Sequence, residues 1–180
     1  MQISKLDQMF DVLATRPKKR MIAAWGVDSH TILAAYMAVE KELIEATLVG
    51  DEKKILSVCK EHNLDCSKFN IVHCPVDIKS ASLAVEMINK GKGDFLMKGL
   101  ISTDRYMKAI LNKECGLMDP GAILSHVTVT ESKHYHKLLI VGDVAIIPLP
   151  DLNQKIAITN YLIRTANLLG IENPKVGLLS

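Results

Sequence analysis

Aromatic side chains are scarce in this sequence, only 4% of 180 residues, which removes the stacking platforms that single-strand nucleic-acid binders use. Charge of one sign is missing as well. The 22 Lys and Arg stand against 20 Asp and Glu, a formal net charge of +2, too nearly neutral for a nucleic-acid partner. The longest apolar runs are interrupted by Asp, Lys or Pro within a few residues, and none approaches the roughly 18 residues of a membrane span. Cysteine is limited to Cys59, Cys66, Cys74 and Cys115, with no CxxC pair and no even framework of close spacings, and no secretory leader is expected before them. They read as reduced thiols, and the expected compartment is the cytoplasm. The GxGxxG fingerprint, the Walker P-loop, the GxSxG elbow and the HExxH zinc pair are all absent. That argues against nucleotide-dependent and serine-hydrolase chemistry and leaves a phosphate ligand open.

What is present is a globular composition, 48% hydrophobic and 23% charged, in a chain long enough for one substantial core. Ser4 is expected to cap a first helix carrying Leu6, Met9, Phe10 and Leu13, ended by the basic run 16–20. Met21 to Trp25 reads as a buried strand, followed by Gly26, Asp28 and a helix carrying Ile32 to Leu43. The pattern recurs: strand Glu45 to Val49, Gly50-Asp51, helix Glu52 to His62, strand Asn70 to Cys74, helix Ser80 to Asn89. Gly91 and Gly93 lead to the strand Asp94 to Lys98, and Ser102 opens a helix to about Lys113. Strands separated by helices of this length predict parallel pairing through right-handed crossovers. The expected fold is α/β, a doubly wound, mostly parallel sheet.

After Pro120 the rhythm changes. The connection between Ala122–Thr130 and Lys137–Val141 is too short for a crossover helix, so these segments are expected to form an antiparallel hairpin. Ala145 to Leu149 is expected to add a strand limited by Pro148 and Pro150. Asp151 caps a long helix to Leu169, and Lys175 to Leu179 reads as a final strand. The expected organisation is therefore a parallel lobe over 1–120, then over 121–180 a hairpin, a long helix and the start of a second, truncated lobe.

Ligands of open parallel sheets bind beyond the carboxyl ends of the strands. The strongest cluster there is Lys98 to Asp104. Gly99 permits close approach to backbone, Ser102 and Thr103 offer hydroxyls and main-chain donors at a helix start, and Lys98 and Arg105 bring positive charge. The same residues serve equally well if Ser102 merely caps the helix and Asp104 meets its dipole; spacing alone does not choose. Ser125 and His126 alternate on one expected strand and cannot both face one cleft. Asp143 fits a hairpin corner better than a cleft carboxylate. His62, Cys66, His73 and Cys74 form no familiar four-ligand metal set, and His134 and His136 read as solvated.

Three stretches do resemble a known family: 97–104 (MKGLISTD), 108–114 (KAILNKE) and 124–127 (LSHV), in that order and spacing. Gly142-Asp143, 150–155 (PDLNQK) and 169–176 (LGIENPKV) extend the likeness over most of the chain after Ile22. The resemblance is to phosphate butyryltransferases within the phosphate acetyl/butyryltransferase family. It implies a three-layer isocitrate/isopropylmalate dehydrogenase-like fold, a cleft between two lobes and a homo-oligomer. It also implies exchange of coenzyme A and phosphate on a short acyl group, with coenzyme A as co-substrate, no tightly bound cofactor and no metal. On that resemblance Lys98, Gly99, Ser102 and Thr103 are expected in the phosphate and acyl-phosphate pocket, with Ser125 or His126 lining the cleft. The catalytic residues are expected beyond Ser180, because the family's Ser-Arg pair and acidic residue lie in a later part. The alternatives are a phosphate acetyltransferase, a truncated lobe acting as a binding or assembly module, and, least supported, a dehydrogenase of the same fold.

Overall fold

Apolar runs punctuated by Gly and Asp become, in chain order, α1 (Gln8–Ala14), β1 (Lys19–Ala24), α2 (Ser29–Glu40), β2 (Ile44–Gly50), α3 (Glu52–Glu61), β3 (Phe69–His73), α4 (Asp77–Asn89), β4 (Phe95–Lys98), α5 (Thr103–Ile110), β5 (Thr128–Thr130), β6 (Leu139–Val141) and α6 (Leu152–Leu168). These belong to a computed structural model that describes residues 2–179. The chain divides into two compact units, Ala14–Asp119, and the residues up to Leu13 together with those from Pro120 onward. The first thirteen residues thus group with the later unit, not with the parallel lobe.

In the Ala14–Asp119 unit the strand order is β3-β2-β1-β4, all parallel. Met21 lies opposite Ala46 on one side and Phe95 on the other. Strand β1 has neighbours on both edges, and Met21 to Ala24 are buried without alternation, as a strand covered on both faces requires. Helix α2 packs on β2 and beside α3, while α4 packs on β1 and β2 and beside α5, giving the α/β/α layering. Ile22, Ile32, Leu48 and Ile55 are wholly buried, each contributing roughly 1.5–3 kcal/mol. Asp28 and Asp51 cap α2 and α3, accepting backbone N–H groups at Thr31 and at Lys53 and Lys54. Arg20 reaches across to β4: its Nη2 lies 2.9 Å from Asp94 Oδ1, and its backbone N–H donates to Asp94 Oδ2 at 2.8 Å. That fork holds the Asp94 carboxyl well below the usual carboxylate range.

In the other unit β5 and β6 pair antiparallel, Val129 opposite Ile140. Asp151 and Gln154 form a capping box that starts α6. Ile3, Leu138 and Leu169 make a small core joined by Met9, Val12, Val129 and Ile140. The N-terminal arm is tied in by Ile3 N–H donating to Leu169 C=O at 2.8 Å.

Several expected boundaries are corrected. Ser4 does not cap α1; its N–H and hydroxyl both donate to Gln8 Oε1, at 2.8 and 3.3 Å. Helix α4 begins at Asp77, so Ser80 is an interior residue and not a cap. The hairpin exists, with strands of only three residues each. Ala145 to Leu149 is not a strand, because the N–H groups of Ala145 and Ile146 turn back to Asp143. Lys175 to Leu179 does not form a strand: an apolar run becomes a strand only beside a neighbour that completes its ladder. Among the described residues no helix is long and apolar enough to cross a membrane.

Candidate active site

The chain moves outward from β1 to β2 to β3 and then returns to the far side of β1 for β4. The order therefore reverses between β1 and β4, and the crevice beyond their carboxyl ends is the expected ligand position. Trp25 and Gly26 follow β1 there, and Gly99 to Thr103 follow β4. The two segments are stitched together: Gly99 N–H donates to Ala24 C=O and Leu100 N–H to Trp25 C=O, both at 3.0 Å. A Cβ on Gly99 would lie 2.3 Å from the Trp25 carbonyl oxygen. Glycine is thus required here by the β1 backbone, whatever ligand lies beyond.

Ser102 caps α5, its Oγ accepting the Arg105 N–H at 3.4 Å. Thr103 is the first helical residue and is exposed, as is Lys98. A hydroxyl that accepts a hydrogen bond keeps its own proton to donate, and the first N–H groups of a helix have no intrahelical partner. Ser102 and Thr103 can therefore cap the helix and face an anion together; the two readings are compatible. The cations sort differently. Arg105 is drawn to Asp77 at the start of α4, and Lys108 pairs with Asp104 at 3.1 Å, so Lys98 is the cation that remains beside Gly99.

Ser125 and His126 belong to the other unit, in chain preceding β5. Ser125 Oγ is buried without a well-formed hydrogen bond, yet lies close enough to Asp143 to help stabilise its carboxylate. His126 is exposed; its N–H donates to Asp143 Oδ2 at 3.2 Å, and its Nδ1 lies 3.1 Å from Thr128 Oγ1. Asp143 gathers this corner. Its Oδ1 accepts the N–H groups of Ala145 and Ile146, each at 2.8 Å, the hairpin-corner role. Burial pushes the carboxyl pKa up, and the backbone donors with Ser125 outweigh it, holding the group at about 2.

A pH prediction follows from that depressed value. The stabilisation is fully present above the ordinary carboxylate pKa near 4 and is lost as pH falls through about 2. Asp143→Asn is expected to flatten the acid side of the stability profile, read as thermal midpoints by circular dichroism between pH 5 and pH 2. A wild-type profile with the same acid slope as the variant would contradict it.

Two features of the crevice gave no sequence signal of their own. Trp25 sits at φ 56, in the left-handed region, with Lys54 Nζ 5.4 Å from its ring centroid. Ser80, a hydroxyl at helical spacing with the buried Ala84 and Met87, was readable only as the start of a helix. No three His, Cys, Asp or Glu residues group to hold a metal ion among the described residues. Burial and the neighbouring Cys66 push the Cys59 thiol up to about 12, which leaves it a poor nucleophile.

The doubly wound sheet thus carries hydroxyls, main-chain donors and a lysine at its switch point, the kinds of group that an anion site is built from. The phosphate acetyl/butaryl transferase family model matches residues 73–180, and the chain belongs to that family. It is 36% identical over 174 residues to a phosphate butyryltransferase of Clostridium acetobutylicum, covering 97% of this chain and 58% of the relative. A phosphate acetyltransferase of Thermotoga maritima is 33% identical over 174 residues, with coverage of 97% and 58%. The crystal structure of a branched-chain phosphotransacylase from Enterococcus faecalis superposes with a TM-score of 0.69 at 25% identity, over 87% of this chain and 54% of that one. A phosphotransacetylase from Streptococcus pyogenes shares the fold, with a TM-score of 0.78 at 15% identity over 93% and 60%. The chain thus spans about 58% of the length of these two curated relatives.

Proposed function

We propose that this chain carries the phosphate-side half of a phosphate acyltransferase, exchanging coenzyme A and phosphate on a short acyl group such as butyryl. The observation that carries the reading is the family match over 73–180, which includes Lys98, Gly99, Ser102 and Thr103 at the switch point. Phosphate is anionic and nucleophilic near neutral pH, so the reaction needs mainly alignment and donors for a developing oxyanion. A phosphate oxygen forms the new bond to the acyl carbon, the carbon–sulfur bond breaks, and its electron pair leaves on the coenzyme A sulfur. Lys98 supplies positive charge, and Ser102 and Thr103 supply hydroxyl and N–H donors to the phosphate oxygens. In reverse, the coenzyme A thiol, near the reference pKa of about 8.5, needs a general base to act as thiolate. We place that base in the additional length of the longer relatives.

The same proposal includes coenzyme A as a released co-substrate without a tightly bound cofactor, a homo-oligomer and a cytoplasmic setting. It also includes a domain division at about residue 120, with the parallel lobe from Ala14 to there and the first elements of a second lobe thereafter. Phosphate-dependent release of coenzyme A from butyryl-CoA by this chain supports transfer; acetyl- and propionyl-CoA assayed beside it separate butyryl from acetyl preference. No release from folded chain favours the alternative suggested by its 58% coverage, a binding or assembly lobe. In a full-length relative carrying these residues, Ser102→Ala/Thr103→Ala is expected to raise the phosphate KM or lower kcat by about tenfold or more, measured by steady-state kinetics. Unchanged kinetics would remove these two residues from the pocket.

A further inference from the structure

Ser80 is wholly buried in α4, and its hydroxyl satisfies two backbone groups at once. It accepts the Trp25 N–H at 2.9 Å and donates to the Val49 carbonyl at 2.8 Å. Those two groups lie at the carboxyl ends of adjacent strands, β1 and β2. Trp25 is a bulky residue at φ 56, a conformation that persists only where its surroundings hold it. Ser80 holds the Trp25 N–H. The Trp25 carbonyl in turn receives Leu100 N–H at 3.0 Å, with Gly99 packed so closely that a Cβ would meet that oxygen at 2.3 Å. Ile101 N–H then returns to Gly99 C=O at 2.9 Å, and Ile101 is itself buried. Ser102 and Thr103 come next in the chain.

We propose that Ser80 is a positioning residue: acting through the Trp25 backbone, it sets where the segment Gly99–Thr103 presents its donors to phosphate. The inference rests on the phosphate reading of that segment. Helix formation alone does not account for the hydroxyl, because Ala is the better helix former and Ala81 and Ala84 fill the neighbouring buried positions of the same helix. What Ala cannot do is satisfy the Trp25 N–H, a buried donor that would otherwise be left without its partner, while the Val49 C=O would keep only the Gly26 N–H at 3.2 Å.

The test uses the ¹⁵N-labelled chain titrated with inorganic phosphate, following the amide signals of residues 99–103, together with emission from its single tryptophan, Trp25. Wild type is expected to give saturable shifts at 99–103. Ser80→Ala is expected to weaken phosphate binding about tenfold and to red-shift Trp25 emission, while Ser80→Thr, which keeps the hydroxyl, stays within about twofold of wild type. Ala84→Gly, one turn further along α4, lowers stability without touching either hydrogen bond and is expected to leave both readouts unchanged. Wild-type affinity in folded Ser80→Ala overturns the proposal, as does equal weakening in Ser80→Ala and Ala84→Gly, or a Ser80→Thr chain as weak as Ser80→Ala. If Ser80→Ala does not fold, Gly99→Ala attacks the same joint from the loop side, and wild-type affinity there overturns it. Absence of saturable shifts in wild type is a separate failure: it removes the phosphate reading before any variant is compared, and this inference with it.

Discussion

Gly99→Ala lowers the unfolding free energy by about 3 kcal/mol, the upper range for forcing atoms into a filled site. The added Cβ would meet Trp25 O at 2.3 Å, Trp25 C at 2.7 Å and Ala24 O at 2.9 Å. All three are backbone atoms of or just after the central strand, so no side chain can swing away to make room. Relief requires separating the chain after β4 from the end of β1, which breaks the Gly99–Ala24 and Leu100–Trp25 hydrogen bonds. The loss is read from urea unfolding followed by Trp25 emission. A Gly99→Ala chain as stable as wild type would mean that the segment after β4 does not lie against β1. Gly91→Ala is a useful contrast, because its site is open but its φ is +69, so its cost arises from backbone conformation alone.

Leu48→Ala is expected to be the more damaging core change, about 3–4 kcal/mol. Leu48 is wholly buried in β2 between strands on both sides, and a parallel sheet covered by helices has little freedom to collapse around a lost isobutyl group. Leu111→Ala, just past α5 and 48% exposed, is expected to cost under about 1 kcal/mol. Equal losses in the two variants, measured by the same urea titration, would contradict the placement of the core around β1 and β2.

The elements that could be read in advance are those whose signals are local. Asp28, Asp51, Ser102 and Asp151 each precede an amphipathic run, and each caps its helix because a short polar side chain answers the free N–H groups of the residues beside it. The parallel sheet was readable for a related reason, since its crossover lengths leave few topologies. The failures are non-local. Whether Lys175 to Leu179 becomes a strand depends on a partner that its own residues do not specify. Ser80 looked like a helix start because Ser usually is one; its two backbone partners, Trp25 and Val49, lie far away in sequence. Nothing about Trp25 itself announces a positive φ, which tertiary contacts impose. Likewise, Arg105 looked like a second phosphate cation until Asp77, from the preceding helix, accounted for it. The candidate phosphate segment was legible as a cluster, whereas the joint that holds it was not.

The N-terminal arm has a consequence for the order in which the protein is made. Ile3 finds its hydrogen-bond partner at Leu169, almost the whole chain later, while every residue of the Ala14–Asp119 unit leaves the ribosome before Leu169 exists. Synthesis runs from the N-terminus at about 5–20 residues per second, so the parallel sheet has several seconds to assemble while the arm waits unpaired. Ile3, Met9 and Val12 are apolar and meet solvent or other surfaces during that interval. The smaller core is thus the late-closing part of a nascent chain, and its contacts carry a large loop-closure entropy.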